Sequence, residues 1–367
     1  MMLLASDVYG SSHAGIPMVN RLVVDAARRR RLDGVVISLD DQPNAPWLAE
    51  WPGSFGAGCS KWRFARAALA RASHAEGSVI LATHCGLVPV GRLVKIKSGG
   101  RLVLFLHGVE VWRTLPPRVR WGVRGCDLVV ANSQFTLDEF RRLNPDLAVV
   151  PAEVCHLPAR LLTHEPASTS ATRPDAPHGV RAVVVGRLWG RGLLKGQRTL
   201  ISIWSRVVKR FPNAELIVVG EGDGQPELEQ LAGDLGVGSH VRFTGFVADA
   251  ELDRIYRSAD MYVMPSKGEG FGLVFAEAMS YGLPCIASRY DAGREVVVDG
   301  VTGLLVDPDD DESVLQAVTA LIHSSDLRGR MGAAGRERAR TMFGLERFDA
   351  HIQSILNGGA RGACVPA

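Results

Sequence analysis

What the chain lacks narrows the field before any motif is read. Its six cysteines, Cys59, Cys85, Cys126, Cys155, Cys285 and Cys364, form no CxxC pair, so neither a zinc site nor a disulfide framework is suggested and a reducing compartment fits best. No apolar run reaches the roughly eighteen residues needed to cross a bilayer. Met1 to Gly10 has no basic segment, and Asp7 interrupts its apolar stretch. The reading is a cytoplasmic protein without a signal peptide. No internal repeat, low-complexity tract, aromatic-rich strand platform or nucleic-acid motif is visible, so nucleic acid is not an expected partner.

What is there is ordinary globular composition, 367 residues with 46% hydrophobic and 22% charged, enough for two domains. The net charge of +3 conceals an asymmetry: residues 1–160 carry 20 Lys/Arg against 13 Asp/Glu, or +7, and the remainder 22 against 26, or −4. Positive charge concentrates in the run Arg28, Arg29, Arg30, Arg31 and in "KWRFARAALARA" (61–72), where Lys61, Arg63, Arg66 and Arg71 mix with Trp62, Phe64 and Leu69. That mixture suits either a basic helix lying on anionic lipid or a solvated helix face.

Short β-branched runs alternate with helix-length segments. Candidate strands are 35–39, 78–83, 101–107, 127–133, 181–186, 214–220, 241–245, 260–266 and 285–288, with helical stretches such as 197–211, 226–235 and 312–323 between them. The pattern predicts an α/β fold of parallel sheets built from βαβ units. Residues 158–179, with prolines, Ser, Thr and Ala and no periodicity, read as a linker between a domain at 1–157 and another at 180–343. In open parallel sheets ligands sit beyond the carboxyl ends of the strands. Gly15, His107, Arg187, Gly220, Gly222 and Glu269 all fall at such ends.

The stretch "KGEGFGLVFAEAMSYGLP" (267–284) carries most of the chemistry, with Glu269 and Glu277 eight positions apart. Pro265 ends a strand, Gly272 opens a helix, and Gly282 with Pro284 mark its end. Gly270 and Gly272 therefore lie at a helix N-terminus, where free amides and the helix dipole suit a phosphate or diphosphate. Glu277 lies beside an apolar stripe of Val274, Ala278 and Tyr281, so it either meets donors such as ribose hydroxyls, points to solvent or pairs with an arginine. Glu269 either binds a sugar beyond the phosphate or complements the dipole of the first turn.

This stretch resembles the Glu, seven residues, Glu signature of the retaining, nucleotide-sugar-dependent glycosyltransferases of family 4, the glycosyltransferase group 1 type. The segments 183–201, 214–247, 256–288 and 297–308 resemble that family's C-terminal half in order and spacing, so the likeness covers essentially residues 181–343. It implies the GT-B fold, two facing Rossmann-like domains with a cleft between them. It further implies that Arg187 and Lys195 contact the donor diphosphate, with Arg191 a rival for one role because "LWGRGLL" looks like a small insertion. On the same basis Glu269 contacts the donor sugar, while Gly270, Phe271, Gly272 and Leu273 supply backbone around the phosphates. Glu277 binds the ribose, and Phe246 and Val247 flank the base.

The N-terminal half matches more loosely. "YGSSHAGIPMVNRLVVDAA" (9–27) resembles the family's first loop and helix, with Gly15 at the phosphate-facing turn and Ala14 where a glycine is usual. "LHGVEVW" (106–112) offers His107 as the family's active-site histidine near the donor sugar, and "VVANSQFT" (129–136) places Ser133 near the cleft. A last helix at about 345–357 is expected to pack back on the first domain. Two lures are set aside: "VVGEGDG" (218–224) is an incomplete dinucleotide fingerprint, and "DPDDDES" (307–313), lying between a strand and a helix, reads as capping rather than metal binding.

The resemblance implies retaining transfer of a hexose, mannose or glucose type, from a GDP- or UDP-sugar, with no metal or other cofactor. The departing phosphate takes the acceptor's proton, consistent with the lack of an opposed carboxylate pair. The basic first half suggests a saccharide or polyprenyl-linked acceptor at an anionic membrane surface, in cell-surface polysaccharide synthesis on the inner face of the plasma membrane. The alternatives are a sugar-nucleotide epimerase of the same fold and a non-catalytic sugar-nucleotide-binding scaffold.

Overall fold

The computed structural model describes residues 1–8, 15–29, 33–159, 179–188 and 195–357. Most of the expected linker, Ala14, Arg30, Arg31 and Arg191 lie outside the described residues. The chain divides into two compact units, Met1–Leu157 with the segment from Leu345 onward, and Pro158–Gly344.

The first unit runs β1 (Met2–Ala5), α1 (Gly15–Arg29), β2 (Val35–Ser38), β3 (Phe55–Gly56), α2 (Lys61–Ala70), β4 (Val79–Ala82), α3 (Val88–Ser98), β5 (Arg101–Leu106), α4 (Pro117–Val123), β6 (Leu128–Ala131), α5 (Gln134–Leu143) and β7 (Ala152–Val154). Its seven strands pair in the order β3-β2-β1-β4-β5-β6-β7, all parallel. β1, β2, β4 and β6 are buried along their whole length, as strands covered on both faces must be, which is why they read as continuous apolar runs. The two short edge strands, β3 and β7, carry no β-branched run long enough to signal them. Ser60 caps α2 and Ser133 caps α5, each accepting from the amide three residues on (Arg63 at 3.3 Å, Thr136 at 3.0 Å), so Ser133 serves as a buried helix cap.

The second unit continues β8 (Arg181–Val185), α6 (Gln197–Arg210), β9 (Glu215–Val219), α7 (Gln225–Asp234), β10 (Val241–Gly245), α8 (Asp249–Ser258), β11 (Met261–Met264), α9 (Leu273–Ser280), β12 (Cys285–Ser288), α10 (Gly293–Val296), β13 (Gly303–Val306), α11 (Asp311–His323) and α12 (Ser325–Met342). Its six parallel strands follow the order β10-β9-β8-β11-β12-β13. Strand order therefore reverses between β8 and β11, as it does between β1 and β4 in the first unit. These reversals are where open α/β sheets form ligand crevices.

A final helix, α13 (Leu345–Leu356), returns to the first unit and packs on α1. Arg29 grips Asp349 with two hydrogen bonds of 2.7 Å, Arg101 donates to the Ile355 carbonyl at 3.1 Å, and His351 meets Glu153 at 3.2 Å. Arg28 pairs with Glu50. Two members of the arginine run are thus committed to carboxylates of their own unit. The described cysteines are free thiols, and burial pushes Cys85 up to about 11 and Cys126 up to about 12. No described helix is long and apolar enough to cross a membrane.

Candidate active site

The glycine turn is built by β11 and the start of α9. Gly272 caps α9 at φ +94°, a conformation that side chains rarely adopt, and an ideal Cβ there would lie 2.5 Å from Cδ2 of the buried Phe275. Beyond it the amides of Leu273 and Val274 have no acceptor within the helix, the Phe275 amide being the first to find one, in the Gly272 carbonyl at 2.9 Å, which leaves the N-terminus able to receive an anion. At the far end Gly282 turns at φ +74° after the cap Tyr281, so the helix stops where its glycine signal predicts. Burial covers Phe275 to Met279 rather than a single stripe. The cause is α12, whose Gly332 and Gly335 let it approach α9: Cβ atoms at those glycines would meet the Gly282 carbonyl at 2.0 Å and Met279 at 3.1 Å.

On the neighbouring strand end, β8 leads to Gly186, exposed Arg187 and, after residues outside the description, half-buried Lys195 and Gly196. The Lys195 ammonium pairs with the Glu269 carboxylate, joining the two sides of the strand-order reversal across 74 positions of sequence. Gly196 turns at φ +80°, and its Cβ would strike the Pro265 carbonyl at 2.5 Å, so the α6 entrance and the β11 end are in backbone contact. The glycines of "VVGEGDG" have a similar reason. A Cβ at Gly220 would lie 2.1 Å from the Gly186 carbonyl, and one at Gly222 would lie 2.3 Å from that of Leu188. They bring the β8 and β9 loops together.

Glu277 is 5% exposed, which removes the solvent reading. The Tyr256 hydroxyl donates to it at 3.3 Å, and burial, with the Glu277 charge, holds that hydroxyl well above its ordinary pKa. Tyr256 stacks in turn on Tyr281, with ring centroids 5.1 Å apart. Phe246, following β10, is 56% exposed and Val247 half-buried. The "DPDDDES" acids cap: Asp310 accepts from the Glu312 amide and Asp307 from that of Asp309, both at 2.9 Å. Among the described residues no group of three or more His, Cys, Asp or Glu is placed to hold a metal ion.

In the first unit Gly15 is the first residue of α1. His107 follows β5 and is buried; its Nε2 lies 2.7 Å from the Thr83 carbonyl, at the end of β4, while its amide donates to Glu110 at 2.6 Å. Burial lowers its pKa, so the neutral ring donates through Nε2 and keeps Nδ1 as an acceptor.

Three residues of the second unit's site are not signalled by the motif: Tyr256, Ser266 and Asp291. Asp291 is 2% exposed, and burial pushes its carboxyl up to about 6. It follows β12, so the strand-end rule that picks out Glu269 picks it out too.

Comparison with known proteins gives the family and the fold. A family model described as glycosyl transferases group 1 matches residues 180–338. The GDP-mannose-dependent alpha-(1-6)-phosphatidylinositol monomannoside mannosyltransferase of Mycobacterium tuberculosis is 33% identical over 290 residues, covering 74% of this chain and 72% of that protein. The chain belongs to the group 1 glycosyltransferases. Within that family, the phosphatidyl-myo-inositol mannosyltransferase of Mycolicibacterium smegmatis is 41% identical over 161 residues, 44% of this chain and 39% of that one. Among solved structures, Anabaena HepE in complex with UDP superposes with a TM-score of 0.77 at 22% identity, covering 98% of this glycosyltransferase and 100% of HepE. Sucrose-phosphate synthase from Thermosynechococcus elongatus gives 0.76 at 21%, covering 96% and 97%. The glycosyltransferase has the GT-B fold.

Proposed function

We propose that this glycosyltransferase moves a mannosyl residue from GDP-mannose to a lipid-linked acceptor, with retention at the anomeric carbon. The observation that carries the reading is the 33% identity over 290 residues to a GDP-mannose-dependent mannosyltransferase, covering 72% of that protein; the family match at 180–338 contains the glycine turn and the Lys195–Glu269 pair. On this reading the α9 N-terminus behind Gly270, Phe271, Gly272 and Leu273 seats the diphosphate. Arg187 and Lys195 offset the charge that grows on it as the sugar departs. Two side-chain cations suffice for this, so the proposal requires no metal or cofactor. Glu269 orients the sugar, Glu277 holds the ribose beside Tyr256, and Phe246 with Val247 flank the base. His107 and Gly15 keep the roles that the resemblance implies. The acceptor's proton passes to the leaving phosphate on the same face.

A lipid acceptor would be met at a membrane. In support, α2 exposes Lys61, Arg63, Arg66 and Trp62, the last by 74%, and the adjoining α3 exposes Ile96 by 68%. Lys97 of α3 donates to the Leu69 carbonyl at 3.0 Å, so the two helices adjoin, and between them they expose the cations and large apolar groups that an anionic surface favours. The expected setting is cytoplasmic, peripheral on the inner face of the plasma membrane.

The decisive experiment incubates the purified protein with GDP-mannose, UDP-glucose, UDP-galactose or UDP-N-acetylglucosamine and vesicles containing phosphatidylinositol. Mannose transfer to lipid is expected, with the anomer fixed by NMR. Turnover of a UDP-sugar alone would overturn the donor assignment, and a β-linked mannoside would overturn retention. The triple change of Lys61, Arg63 and Arg66 to Glu should abolish sedimentation with phosphatidylserine vesicles while sparing slow GDP-mannose hydrolysis; undiminished sedimentation would sink the membrane reading.

A further inference from the structure

The Asp291 carboxylate is not used by the reading above, yet it underlies the group that is. It sits in the loop between β12 and α10. One of its oxygens, Oδ2, accepts from the Ser266 hydroxyl at 2.6 Å and from the Glu269 amide at 3.1 Å, and Oδ1 accepts from the Gly293 amide at 2.9 Å. The Ala292 amide returns a bond of 3.1 Å to the Glu269 carbonyl. The peptide groups on both sides of Glu269 are therefore tied to residues 291 and 292, while its carboxylate is engaged by Lys195.

The chemistry of this strut is unusual for a purely structural role. A carboxylate that is 2% exposed and has only neutral donors, with the negative charge of Glu269 nearby, is costly to bury, and its titration near 6 reflects that cost. A neutral acceptor would hold a loop at less expense. What the ionised form adds is strength and direction: one oxygen takes two donors and the other a third, and an amide side chain would turn an N–H toward at least one of them.

We propose that Asp291 is a positioning residue of the transfer reaction, whose carboxylate fixes the backbone of Glu269 and through it the aim of the Glu269–Lys195 pair at the start of α9. The inference rests on the reading that Glu269 faces the donor sugar. The groups facing Asp291 are Ser266 and Glu269 from the β11–α9 loop and Gly293 from its own, with Lys195 from the α6 side neutralising Glu269.

The test compares Asp291→Asn, Ser266→Ala and Glu269→Ala, using GDP-mannose or whichever of the four sugars turns over, with GDP binding and thermal melting as controls. Asp291→Asn is expected to lower kcat by about 10- to 100-fold, the range for residues that orient a working side chain, with donor KM and GDP affinity changed less than twofold. Ser266→Ala removes a bond that favours the ionised carboxylate, so the acidic limb of its kcat profile should move to higher pH. Wild-type kcat in Asp291→Asn with Glu269→Ala inactive would overturn the positioning role and leave the site reading standing. An active Glu269→Ala would overturn the site reading itself. If Asp291→Asn does not fold, Ser266→Ala decides: an unmoved acidic limb overturns the proposal.

Discussion

Replacing Gly272 by alanine is the sharpest single test of how the glycine turn is built. The residue caps α9 at φ +94°, and the added Cβ would stand 2.5 Å from Cδ2 and 3.1 Å from Cε2 of Phe275. That ring is fully buried and meets Tyr262 edge-on at 5.4 Å, so it has no space to swing into and the turn itself must shift. Overpacking a tight site costs ~1–3 kcal/mol and an alanine at positive φ ~1–2 more, which together predict a loss of ~2–5 kcal/mol. For a unit the size of Pro158–Gly344, each kcal/mol lowers the melting temperature by ~2–4 °C. Calorimetry on the purified variant reads this directly, and GDP titration reads the accompanying loss of affinity as the amides of the turn move. Gly233→Ala serves as control: Gly233 lies exposed in α7, a Cβ there meets nothing within 4 Å, and the change should stabilise by ~0.5–1 kcal/mol. A Gly272→Ala protein that melts with the wild type and binds GDP equally well would refute the reasoning.

Other expectations are equally direct. Lys195→Ala should cut turnover by ~10²–10³-fold, the scale for removing one charge-stabilising donor, and should weaken GDP binding less; in steady-state kinetics an effect confined to KM would contradict the assigned role. Tyr256→Phe deprives buried Glu277 of a donor at 3.3 Å, so urea unfolding should show a loss of ~1–3 kcal/mol. Asp291 binds its proton more tightly in the folded chain, at about 6 against 3.8, so folding stability should fall as pH rises from about 4 through 6. At 1.36 kcal/mol per unit the decline approaches ~3 kcal/mol. The urea midpoint of the wild type should therefore fall relative to that of Asp291→Asn between pH 4.5 and 7, and parallel behaviour of the two would contradict it.

Much of the second unit is legible along the chain because its signals are local. Continuous apolar runs mark strands buried on both faces, Gly272 and Gly282 bracket α9, and Asp310 caps α11 as "DPDDDES" predicts. The edge strands β3 and β7 are missed because two or three residues leave no periodic trace. The charge excess of residues 1–160 is real, but its distribution misleads in part, since Arg28 and Arg29 are taken up by Glu50 and Asp349.

Local sequence signals suffice for the fold class, many of the strand ends, the glycine turn and the family of the chain. Which side chains meet at those ends follows from the three-dimensional arrangement. Lys195 finds Glu269 across 74 positions, Asp291 finds Ser266 across 25, and Tyr256 finds Glu277 across 21. Side-chain periodicity fixes which face a residue presents, whereas its partner depends on which strand lies alongside. In a parallel sheet every neighbouring strand is reached through a crossover, so the loops that converge at one edge are remote in sequence.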